Sequence, residues 1–129
     1  MVIYTNTFAT LSQEFDKMFA NTTKTAYPPY NVVKVNDDKF VMEFAIAGFK
    51  KDEVSVTAEK NVLSIKAEKK DADEKSYLFK GIAARRFVRS FSLPEFYEVE
   101  SAGMEDGILY IDLIKNVPED KKPKQITIK

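Results

Sequence analysis

The stretch Val54-Ser55-Val56-Thr57-Ala58-Glu59-Lys60-Asn61-Val62-Leu63-Ser64-Ile65-Lys66-Ala67 decides the fold. Val54, Val56 and Ala58 fall on one parity, and Leu63, Ile65 and Ala67 repeat the pattern beyond Glu59-Lys60-Asn61. Strict alternation with β-branched residues marks half-buried strands, and the polar triplet marks a compact turn between neighbours. Working outward, Phe40, Met42, Phe44 and Ile46 alternate upstream, entered by the turn Asn36-Asp37-Asp38. Downstream come Phe87, Phe91 and Leu93, then Leu109, Ile111 and Leu113. Gly48 and Gly107 break the series, and Asp106-Gly107 is a tight-turn dipeptide between two strands. No helix of useful length interrupts residues 30–115. Short strands at this spacing predict an all-β antiparallel sandwich and not a parallel sheet.

Composition narrows the chemistry. The 129 residues carry 20 basic and 20 acidic side chains, no His and no Cys. With zero net charge nothing global favours nucleic acid, whose binding needs a basic surface to displace its counterions. Without Cys or His there are no disulfides, no thiol nucleophile, none of the usual zinc or haem ligands, and no Ser-His-Asp triad. Only four Gly are present and no phosphate-binding loop is among them. The carboxylates mostly lie near Lys in sequence and read as a solvated face. The expectation is a non-catalytic protein with no cofactor, no metal and no small-molecule substrate. No apolar run approaches the roughly 20 residues of a membrane span. Met1 to Ala20 has no basic n-region and no apolar block, so the cytoplasm is the expected compartment.

Both flanks of the sandwich carry apolar residues it does not require. In residues 1–29, Phe8, Leu11, Phe15, Met18 and Phe19 recur at helical spacing and form one apolar stripe, ended by Pro28-Pro29. The stripe packs on its own domain or serves as an arm that contacts other chains. In residues 116–129 a charged, proline-punctuated linker precedes Gln125-Ile126-Thr127-Ile128-Lys129. In an extended segment Ile126 and Ile128 face one side, about 7 Å apart. They form either a last strand of the same domain or a peptide ligand that adds to a sheet edge and fills two pockets. The second reading is preferred because the linker is extended. Within the sandwich, Lys69–Lys75 is too charged for a core strand and reads as a solvated loop, yet Tyr77, Leu78 and Phe79 at its tip are apolar. Such a tip has little to bury against in its own domain and suits an edge on a partner. Arg89 shares the parity of Phe87 and Phe91, so either a strand twist or bulge carries it to solvent, or its guanidinium needs a carboxylate or backbone carbonyls, partners expected at a subunit interface. Val99 and Ala102 are three apart, which breaks simple alternation.

Five segments in order resemble the small heat-shock proteins with their α-crystallin domain, nearest to the bacterial inclusion-body-binding branch. They are Pro28-Pro29-Tyr30-Asn31-Val32, Phe44-Ala45-Ile46-Ala47-Gly48-Phe49, the run from Tyr77 to Leu93, the run from Ala102 to Leu109, and Ile126-Thr127-Ile128. The resemblance implies an immunoglobulin-like sandwich of seven to eight strands. It implies that Tyr77–Phe79 forms a short strand swapped onto the partner's first strand, around Tyr30–Val35, with Tyr30, Val32 and Arg89 expected in the same dimer interface. It further implies that Ile126 and Ile128 dock in a neighbouring subunit's groove lined by Val54, Val56, Ala102 and Met104. The expected activity is that of an ATP-independent holdase, a homo-oligomer of strand-swapped dimers that binds unfolded client proteins, in part through the Phe8, Leu11, Phe15 and Phe19 arm. The rival expectations are a monomeric sandwich co-chaperone or adaptor, and a structural β-domain.

Overall fold

The computed structural model describes residues 27–82, 84–118, 123 and 125–129. The Phe8–Phe19 stripe lies outside the described residues. Seven strands run through them: β1 (Tyr30–Asn36), β2 (Lys39–Ala45), β3 (Val54–Glu59), β4 (Val62–Ala67), β5 (Phe87–Ser92), β6 (Tyr97–Glu105) and β7 (Ile108–Lys115). One sheet has the order β1-β2-β7-β6 and the other β3-β4-β5, with every pairing antiparallel.

Alternation builds the core. The inward residues of β2 (Phe40, Met42, Phe44), β4 (Leu63, Ile65, Ala67) and β7 (Leu109, Ile111, Leu113) are all buried. Burying one such Phe, Leu or Ile side chain contributes about 2 kcal/mol, so these central strands supply most of the apolar stabilisation. Phe91 closes the layer from β5, with its ring 5.8 Å from Phe44. The turns hold as read. Asp38 N–H donates to Asn36 Oδ1 at 2.8 Å, and Lys60-Asn61 and Asp106-Gly107 all take positive φ, the twist a two-residue hairpin requires.

The sheet edges gather at two flanks of the sandwich. β1 faces β5 along one flank, where Tyr30 meets Phe91 at 5.5 Å. β3 faces β6 along the opposite flank. Among the described residues β1 pairs with β2 alone, β5 and β3 each with β4 alone, and β6 with β7 alone.

Candidate functional site

The β1/β5 flank is closed by stacked aromatic and cationic groups. Tyr30 and Val32 point inward and are half-buried, while Val33 and Val35 on the other face of β1 are exposed. Arg89 is half-buried, as its parity requires. Its guanidinium lies 5.5 Å from the Tyr30 ring centre and 5.1 Å from that of Phe91, and Nη1 donates to the Tyr27 carbonyl at 3.4 Å. The expected carbonyl partner is therefore present within the same chain. One residue pair further out, Arg85 stacks on Tyr27 at 4.5 Å, and Tyr27 meets Phe87 edge-on. A guanidinium on an aromatic face keeps its charge in a half-dry position that an ammonium fills less well.

Between β4 and β5 the chain makes a long excursion. Its described residues from Glu68 to Arg86 contain no strand, so the short strand implied for Tyr77–Phe79 is not formed in the single subunit. No described strand of its own chain pairs with that segment, and an unpaired strand has no ladder to stabilise it. The charged run is exposed throughout, as expected. At the tip, Leu78 and Phe79 are almost wholly exposed and Tyr77 partly so. Asp73 organises the tip: it accepts the Lys75 N–H at 3.0 Å and the Tyr77 hydroxyl, with Lys80 Nζ 3.8 Å away. The Tyr77 hydroxyl is the chief cause that holds the Asp73 carboxyl below its ordinary range, and the same bond pushes the Tyr77 phenol up.

The β3/β6 flank holds the residues assigned to the groove. Val54, Val56 and Met104 are half-buried against the core, and Ala102 is exposed. The broken alternation on β6 has a physical cause. The register shifts between Val99 and Ser101, so Glu100 is an extra residue. This bulge lets Val99 oppose Leu113 and Ala102 oppose Ile111, both inward residues of β7. Ala102 and Met104 therefore share the inward parity of β6, facing the side on which β3 presents Val54 and Val56. Ile126 and Ile128 are highly exposed and lie in no strand. The alternative of a last strand within the same domain is not what this subunit forms.

The reading of the carboxylates as a solvated face needs one correction. Glu53, in a single 3-10 turn (Lys51–Glu53) before β3, has a side chain only 1% exposed. Oε1 accepts the Lys50 N–H at 2.7 Å and the Lys69 ammonium at 3.3 Å; Oε2 accepts the Lys70 N–H at 2.8 Å. The two backbone N–H donors, first from Lys50 and then from Lys70, lower its pKa to about 2. In sequence Glu53 looks like any acid beside Lys51 and Asp52, and no local signal separates it from them.

Among the described residues, the antiparallel sandwich leaves apolar side chains exposed at the tip of the β4–β5 excursion and at Ile126 and Ile128. Residues 32–129 match the model of the Hsp20/alpha crystallin family, and the chain belongs to that family. It is 45% identical over 120 residues to the small heat shock protein HspH of Bradyrhizobium diazoefficiens, spanning 88% of this chain and 80% of that one. It is 40% identical over 121 residues to the small heat shock protein IbpA of Escherichia coli O1:K1 / APEC, covering 88% of each. Among solved structures it resembles a small heat shock protein from Synechococcus phage S-ShM2, at 39% identity and a TM-score of 0.61 over 80% of this chain and all of that one. A C-terminally truncated AgsA from Salmonella typhimurium aligns with a TM-score of 0.65 at 28% identity, over 80% of this chain and all of that one. A chaperone role follows from this membership. No helix among the described residues is long and apolar enough to cross a membrane.

Proposed function

We propose that the chain is a cytoplasmic, ATP-independent holdase: it binds unfolding proteins and keeps them from aggregating, as an oligomer of strand-swapped dimers. The observation that carries this reading is the uncovered state of Leu78, Phe79, Ile126 and Ile128, with exposures from 81 to 108%. Scattered exposed apolar residues are ordinary. Two separate apolar segments, one at a loop tip and one at the end of a charged linker, are sites for other chains.

In this reading the Tyr77–Phe79 tip adds to the partner's β1 edge near Tyr30 and Val32, beside Arg89. The tail docks Ile126 and Ile128 over Val54, Val56, Ala102 and Met104 of a neighbour. Several modest tail contacts act together through high effective concentration, and heating loosens them, exposing the groove. The Phe8, Leu11, Phe15 and Phe19 stripe adds client-binding surface on sequence grounds.

The test is light scattering from a heat-labile enzyme with the full chain added and no nucleotide present. Suppression of aggregation at about one subunit per enzyme molecule is the expected result. Undiminished scattering at that ratio removes the holdase reading and leaves the structural β-domain.

A further inference from the structure

The loop that carries the apolar tip leaves and returns at one corner of the sandwich, and Glu53 is the centre of that corner. Its backbone carbonyl accepts the Glu68 N–H at 3.0 Å, its Oε1 the Lys69 ammonium, and its Oε2 the Lys70 N–H. One residue thus holds three successive residues at the root of the excursion. Lys69 Nζ also donates to the Gly48 carbonyl at 2.7 Å, which ties the root to the preceding bend. The returning limb meets the same bend: a Cβ added at Gly48 would lie 3.1 Å from the Ala84 Cβ, and Gly48 itself has a φ of 98°. The missing side chain at this bend lets both limbs converge. Beyond this corner, among the described residues, the polar ties of the tip run to its own loop, through Asp73, Tyr77 and Lys80.

We infer that Glu53 is a positioning residue for the loop-borne subunit contact, fixing where the Leu78–Phe79 tip emerges from the sandwich. The inference rests on the strand-exchange reading proposed above. A loop held at its root loses less freedom when it docks than one that swings, so its contact is tighter for the same docked area. The competing role is purely local: Glu53 precedes β3, Glu68 follows β4, and their bond continues a ladder in which Val54 already pairs with Ala67. A local role predicts that replacing Glu53 loosens β3 and β4; a positioning role predicts that it loosens the loop and the subunit contact.

The experiment uses full chains: wild type, Glu53→Gln, Lys69→Met, and a Leu78→Ser/Phe79→Ser control. Hydrogen exchange is followed across residues 54–82, and the monomer fraction on dilution is read by native mass spectrometry. Gln keeps the size but replaces one acceptor oxygen with a donor that faces an N–H. Glu53→Gln is expected to speed exchange at the Lys70 amide and to raise the dimer dissociation constant roughly tenfold, with protection in β4 retained. Lys69→Met, which leaves both backbone N–H bonds to the Glu53 carboxylate in place, is expected to do the same to a smaller degree. Wild-type loop exchange in Glu53→Gln overturns the inference, as does a loosened loop with an unchanged dissociation constant while the control dissociates. A loss of β4 protection equal to that of the loop also overturns it in favour of the local role. If the control itself stays dimeric, strand exchange through this tip is what fails, and the positioning role falls with it.

Discussion

Arg89 sits on two aromatic faces and one carbonyl, and each such stacked contact is worth roughly 0.5–2 kcal/mol at a half-dry site. It lies beside the β1 edge, so its removal acts on that edge as well as on the seam beneath it. Arg89→Gly is expected to raise the dimer dissociation constant about tenfold and lower the melting temperature, with Arg89→Lys in between because an ammonium cannot stack. Sedimentation and thermal melting check this; an unchanged mass and midpoint in Arg89→Gly would count against a place in the interface. Glu53 yields a pH prediction. Its pKa is depressed from 4.5 to about 2, so the native state binds this proton less readily than the unfolded chain. Its contribution is then fully present above pH 4.5 and is lost as the pH falls through about 2. Lys69 is the charged group that bonds to it, and the exposed pairs Lys70–Asp52 and Lys50–Asp71 involve residues next to it or bonded to its carboxylate. Urea midpoints of wild type and Glu53→Gln are expected to differ most above pH 4.5 and to converge towards pH 2. A gap that stays constant across that range would show that the carboxylate charge is not the source of the difference.

At the scale of elements, period-two patterning was legible because it is a direct image of burial. Phe40, Met42, Phe44, Leu63, Ile65, Leu109 and Ile111 were all readable as inward residues, and all are buried. The spacing of Val99 and Ala102 was visible too, but its cause is a register shift against β7, which only the pairing reveals. Glu53 was illegible for a stronger reason: its partners at Glu68–Lys70 come together only once β3 and β4 are paired. The tail was legible as an apolar pair after a charged linker, and its prediction belongs at this scale. Changing Ile126 and Ile128 together to Ala is expected to reduce assemblies to dimers, because the contact is multiplied across several tails. Size exclusion of the full chain reads the result; unchanged assemblies would remove the tail from the links between dimers.

At the scale of the whole molecule, the two proposed contacts use opposite flanks of one sandwich. The β1/β5 side bears the Arg89 seam, and the β3/β6 side bears the Val54, Val56 and Met104 seam. A four-stranded and a three-stranded layer cannot hide four edges from solvent, and here each flank presents two. Side chains cap these seams, and among the described residues no further strand pairs with the outer backbone of any edge strand, the kind of edge to which another chain can add. The fold therefore leaves room for two different neighbours at once.

The bulge in β6 carries this furthest. Were Glu100 paired in unbroken register, Ala102 and Met104 would turn to the opposite face from Val99. A single slipped position in one border strand thus decides which side chains β6 turns towards Val54 and Val56. In the tail docking proposed above, cohesion between subunits would depend on a one-residue offset as much as on any pair of isoleucines.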